Sequence, residues 1–192
     1  YSLTGAGVTI GLWDGGSGRA THQEFGGRIT VMDESPSIDH ATHVAGTLIA
    51  SGVDPAARGM TSSASIKSYD WNSDTVEMTA LGATVAGDPD KIYLSNHSYG
   101  YVSGWNYVGN ATRAWEWYGA GTSSAAIEDD FGRYNDLARD SDSLAFNAPY
   151  YLIFRSAGND RIDNPAPGQN VSLSPGGAAV AYSYSMHPVG DR

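Results

Sequence analysis

The chain contains no cysteine. That absence excludes disulfides, zinc–thiolate sites and a cysteine nucleophile together, although it leaves the compartment open, since many secreted bacterial enzymes also lack cysteine. Basic side chains are scarce, with 11 Lys+Arg against 21 Asp+Glu and a formal net charge of -10. A surface of that sign repels a phosphate backbone, and no dense Lys/Arg run is present to release counterions, so nucleic acid is not expected as a partner. No stretch approaches the roughly 20 apolar residues that span a bilayer, and the opening Tyr1-Ser2-Leu3-Thr4-Gly5 has no charged and apolar leader pattern. A soluble chain without a membrane partner is expected. What is present is 192 residues, 41% hydrophobic and 17% charged, with 24 glycines. Such a chain is long enough for one domain with a hydrophobic core and is rich in loops.

Val8–Trp13 is a short apolar run closed by Asp14-Gly15-Gly16, which predicts a buried strand ending in a tight turn. His40–Ala50 carries apolar residues at helical spacing, with Asp39 at its entry as the cap and Gly52 at its exit. Ala64–Tyr69 predicts a second strand. Asp74 with Glu77 predicts a capping box opening a helix to about Val85. Lys91–Ser95 and Tyr150–Arg155 predict two further strands, the last a buried one. Between Gly100 and Pro149 the pattern loosens into an aromatic-rich insertion holding Tyr101, Trp105, Tyr107, Trp115, Trp117 and Tyr118, followed by a helix over about 129–145. After Asn164, Pro, Gly and Ser dominate, with one late apolar run at Ala178–Ala181. Strands alternating with helices predict an α/β fold, a mainly parallel sheet covered on both faces. In such sheets ligands bind beyond the carboxyl ends of the strands, where Asp14, Ser98 and Asn159 all fall.

Acyl transfer through a serine needs a base, a buried carboxylate that holds the base in one tautomer, and donors for the oxyanion. Ile10-Gly11-Leu12-Trp13-Asp14-Gly15-Gly16 resembles the aspartate motif of the subtilisin-like serine proteases, family S8. His40-Ala41-Thr42-His43-Val44-Ala45-Gly46-Thr47 is similar to their His-Gly-Thr-His-Val-Ala-Gly-Thr block, and Ser156-Ala157-Gly158-Asn159 resembles their oxyanion asparagine motif. The three occur in the family's order. With lesser similarity at Gly59-Met60 and Asn96–Gly100, they span nearly the whole chain, which gives them far more weight than any single one has.

The resemblance implies a subtilisin-like three-layer fold, with residues 1–192 forming the part of the peptidase domain that carries Asp14, His40 and Asn159. It implies that His40 acts as general base and acid, that Asp14 orients it, and that the Asn159 amide donates to the oxyanion. Ser98, Tyr99 and Gly100 match one edge of the peptide-binding cleft, and Ser156, Ala157 and Gly158 match its other wall. The chain departs from the pattern in four places. Ala41 stands where glycine is usual, Gly15 where Ser or Thr is commoner, and Asn72-Ser73-Asp74 is short for a second cleft edge. The family's Gly-Thr-Ser-Met-Ala-x-Pro-like serine block is missing. Gly121–Ala126 imitates that block but precedes Asn159 and lacks the proline, so Ser123 and Ser124 read as surface loop and the serine is expected beyond residue 192, on a C-terminal companion segment or chain. The expected partners are that segment and a peptide or protein substrate. The expected location is extracellular or periplasmic in a bacterium. The chemistry needs no cofactor; structural calcium, common in the family, has no placed ligands. The competing expectations are a pseudoprotease that binds peptides without catalysis and a self-contained hydrolase using Ser123. His43 is expected to pack or hydrogen-bond at the helix start.

Overall fold

The structure, a computed structural model, describes residues 3–88, 91–100, 104–109, 115–118, 134–159 and 171–173. In chain order the elements are β1 (Thr9–Asp14), β2 (Ile29–Val31), α1 (Asp39–Ile49), β3 (Ser65–Asp70), α2 (Asp74–Gly82), β4 (Leu94–His97), β5 (Gly104–Tyr107), β6 (Trp115–Tyr118), α3 (Asp136–Asn147), β7 (Leu152–Arg155) and β8 (Val171–Leu173). They divide between two compact units: Tyr1–Ser98 with Arg139–Arg155, and Tyr99–Ala138 with Ser156–Arg192.

The first unit is built on a five-stranded sheet in the order β2-β3-β1-β4-β7, every pair parallel. It is an α/β unit, as the alternation predicted. Side chains alternate across a strand, so β1 sends Ile10 and Leu12 to one face and Trp13 to the other. On the first face Ile10, Leu12 and Ile66 pack with Ala45 and Ile49 of α1 and with Phe25 and Ile29 into one buried cluster. Trp13 reaches Glu77 of α2, which places α2 on the opposite face. At β1, therefore, α1 lies on one face of the sheet and α2 on the other.

Five expectations are corrected here. Asp39 is the first helical residue and not the cap: Ile38 precedes it in an extended conformation with no side-chain cap bond, and Thr42 donates to Ile38 O at 2.7 Å. Gly52 does not end α1. The last carbonyls of α1 are instead satisfied by a crossing segment, through Gly59 N to Ala50 O, Met60 N to Thr47 O and Thr61 N to Leu48 O. Side-chain room is absent there, because a Cβ on Gly59 would lie 2.5 Å from Ala50 N. No capping box opens α2: Ser73 occupies the cap position in a left-handed conformation, and Glu77 turns away to Trp13. The third strand begins at Leu94, not Lys91, because Lys91 is spent on the end of α2, where its Nζ donates to Gly82 O (3.0 Å) and Thr84 O (2.6 Å). The fourth strand, β7, is not buried. It is the sheet's edge, and its burial alternates between exposed and half-buried.

In the second unit the aromatic stretch is more ordered than the sequence pattern suggested. β5 and β6 form an antiparallel pair, and β8 adds parallel to β6. Tyr107 meets Trp115 edge-on at 5.2 Å. The late helix, α3, covers Asp136–Asn147, belongs to the first unit from Arg139 onward, and starts further along than expected. Ser123, Ser124 and the run 178–181 lie outside the described residues.

Candidate active site

β1 ends on Asp14, the next residue after buried Trp13, so the carboxylate emerges at the sheet's carboxyl edge on the α1 face. The chain then has to bring α1 back over that edge. Gly15–Arg19 does so by pairing with the segment that leads into α1. Ser17 N donates to Pro36 O at 2.9 Å and Ile38 N donates back to Ser17 O at 3.0 Å, a parallel bridge between Ser17 and Ser37. The Ser17 hydroxyl donates to Ser35 O at 2.9 Å, and Arg19 N donates to Thr42 Oγ1 at 3.0 Å. Gly16 permits this approach, since a Cβ there would sit 2.6 Å from Pro36 O. His40 thus enters α1 directly above Asp14.

The two side chains meet. His40 Nδ1 lies 2.7 Å from Asp14 Oδ2 and 2.8 Å from Oδ1. An ionised carboxylate only accepts, so Nδ1 carries the proton and donates, which leaves Nε2 as the acceptor nitrogen. Gly15 N donates to Asp14 Oδ1 at 2.7 Å. The Asp14 side chain is 3% exposed and that of His40 is 56% exposed. A buried carboxylate thus orients an imidazole whose other face is open to a reactant, as general-base chemistry requires. His43, expected to pack or bond, is exposed, because Ala41 and Ala45 take the inward side of α1.

The residues expected at the rest of the site follow from the strand ends. Trp13 pairs with His97, and His97 with Arg155, so β1, β4 and β7 reach one level. The next residues are Asp14, Ser98 and Ser156. Ser98 Oγ accepts from Asn96 Nδ2 at 2.8 Å, with Tyr99 half-buried and Gly100 exposed beyond it. Ser156, Ala157, Gly158 and Asn159 are exposed, and Gly158 has φ +77, a conformation that favours glycine. Those four residues belong to the second unit, whereas Asp14, His40 and Ser98 belong to the first. Among the described residues there is no group of three or more His, Asp or Glu side chains that could hold a metal ion.

Residues 5–184 match the family model described as the subtilase family, Peptidase S8. The chain belongs to the subtilase family. Membership places it generally among the serine peptidases, which are hydrolases. No curated protein matches it. Among the described residues of this subtilase, no helix is long and apolar enough to cross a membrane.

Sequence reasoning missed the supporting parts: the Ser17–Ser37 bridge, the indole bond of Trp13 to Glu77 and the buried His97. The signal for the first was present in the glycines at 15, 16 and 18, which mark a close backbone approach. Nothing in the local pattern marked the other two.

Proposed function

We propose that this subtilase is a serine endopeptidase that hydrolyses extended peptides through an acyl-enzyme. The observation that carries the reading is the Asp14–His40 pair, with Nδ1 held on both oxygens of a buried carboxylate. In this reading His40 Nε2 takes the proton of the attacking serine and returns it to the leaving amine, while Asp14 holds the tautomer and stabilises the imidazolium. Asn159 donates its side-chain amide to the oxyanion. Ser98, Tyr99 and Gly100 on one side, and Ser156, Ala157 and Gly158 on the other, bind the peptide as an added strand, where backbone pairing gives affinity with little sequence demand. Small residues at 156–158 leave room for a sizeable side chain before the scissile bond.

Residues 1–192 act as one part of a subtilisin-like peptidase domain, and the nucleophilic serine comes from a companion segment or chain following residue 192. The site of action is outside the cytoplasm, in the extracellular or periplasmic space. The test is hydrolysis of an extended peptide by the 192-residue chain alone and by the chain joined to a serine-bearing segment. Cleavage only in the joined form, and its loss in His40→Ala, is the expected result. Equal cleavage by the isolated chain would move the nucleophile into residues 1–192, and no cleavage by the joined form would favour a peptide-binding module.

A further inference from the structure

Trp13, the neighbour of Asp14, is fully buried and its ring is held on every side. Tyr69 stacks on it at 4.5 Å and 7°, and His97 at 5.2 Å and 13°. These residues are the in-register partners of Trp13 on β3 and β4, and the ring spacings match the ~4.8 Å separation of neighbouring strands. Three aromatic rings thus form a ladder across the sheet, one residue before the catalytic edge. Beneath the indole lies Gly11, where a Cβ would overlap the ring. The ring's Nε1–H donates to Glu77 Oε2 of α2 at 2.8 Å.

Each partner is itself fixed. His97 is fully buried and its Nε2 lies 2.8 Å from the Ser95 hydroxyl. Burial, with the Arg155 charge adding to it, pushes the His97 imidazole down to about 2, so the ladder's third ring is neutral. The Glu77 carboxyl is raised by its own burial, with the carboxylates of Asp33, Asp70 and Asp74 adding to the effect and the Trp13 N–H opposing it.

The consequence reaches the other face of the sheet. Trp13 and Asp14 share a peptide unit and point to opposite faces, so a rotation of the backbone that swung the carboxylate away from His40 would drive the indole into Tyr69 or His97. We infer that Trp13 is a positioning residue: clamped between Tyr69 and His97 and latched to Glu77, it fixes the backbone at Asp14 and hence the aim of the carboxylate at His40. This rests on the reading of Asp14 and His40 as the working pair. The same ladder ties β1 to β4, so the carboxylate and the cleft edge that starts at Ser98 share one rigid base.

The experiment is proton NMR of the 192-residue chain with labelled histidine, observing the downfield His40 Nδ1–H resonance of the bond to Asp14. Trp13→Phe and Glu77→Ala should lose that resonance to solvent exchange, and Glu77→Gln, which keeps an acceptor for the indole, should restore it. Leu144→Ala removes a buried side chain of α3 outside the ladder and serves as the folding control; it should keep the resonance. Retention in all ladder variants overturns the inference, as does equal loss in Leu144→Ala, which would make the effect one of general loosening. A wild-type chain with no such resonance would instead sink the Asp14–His40 pair itself, a failure distinct from that of the ladder.

Discussion

One face of the central sheet has two different halves. Over β3 and β1, Ile66, Ile10 and Leu12 are sealed beneath α1 with at most 5% of their surface exposed. In the same rows and on the same face, β7 presents Leu152 at 56% and Phe154 at 53% exposure. Both halves are parallel strands with apolar side chains on this face, but β1 and β3 lie inside the sheet beneath α1, whereas β7 is its edge. The covered half is where α1 sits, and α1 is what delivers His40 to Asp14. The geometry of the pair is therefore a product of burial on that half, and it is complete without any contribution from the β7 edge.

The largest effects that sharpen this contrast concern the pair. In the protein completed with its serine, His40→Ala should lower kcat by about 10⁶-fold and Asp14→Asn by about 10⁴-fold, on the scale measured when serine proteases lose these groups. Steady-state kinetics on a peptide substrate reads both. A tenfold loss or less in either would detach catalysis from the covered half. Asn159→Leu should cost about 10²- to 10³-fold in kcat with KM little changed, the scale of a lost oxyanion donor, which subtilisin itself supplies as the reference case. A change confined to KM would make Asn159 a binding residue.

The comparison can also be broken through stability. Leu12→Ala should destabilise by about 2 to 5 kcal/mol, since it opens a cavity under α1. Leu152→Ala, in the same sheet face, should stay within about 0.5 kcal/mol. Equal shifts in urea midpoint would mean that the two halves are packed alike. The smallest effect is one of pH. Glu24 accepts from the backbone N–H groups of Gly52, Val53 and Asp54 and from the Ser51 hydroxyl, and the bond from Asp54 N–H is the main reason its carboxyl lies below the ordinary range, with desolvation opposing. A depressed carboxyl contributes stability above its unfolded value of 4.5 and loses it as pH falls through the folded one. Glu24→Gln should accordingly flatten the acid limb of thermal stability below about pH 4.5 and leave the Asp14–His40 pair unaltered; an acid limb identical to that of the wild type would remove Glu24 from the account.

Legibility from the sequence followed the range of the interaction. β1, α1 and β3 were placed within a residue or so, because each is an apolar run of the right period bounded by glycine or polar residues. The meeting of Asp14 and His40 came from ordered motifs, not from periodicity, which has no reach over 26 positions. Where tertiary bonds redirected a side chain, local signals misled. Asp74 and Glu77 have capping-box spacing, yet the indole of Trp13 claims Glu77; Lys91 reads as a strand opener, yet the carbonyls of α2 claim its ammonium. Burial of β7 was misjudged for a related reason. A run such as Tyr150–Arg155 shows that a strand forms, while its place at the sheet's edge depends on what else pairs with it.

The central claim is most directly tested by fluorophosphonate labelling of the protein completed with its serine-bearing segment, followed by peptide mapping. The account predicts a single labelled serine beyond residue 192, with labelling abolished in His40→Ala. A label on Ser123 or Ser124, or undiminished labelling without His40, would contradict it.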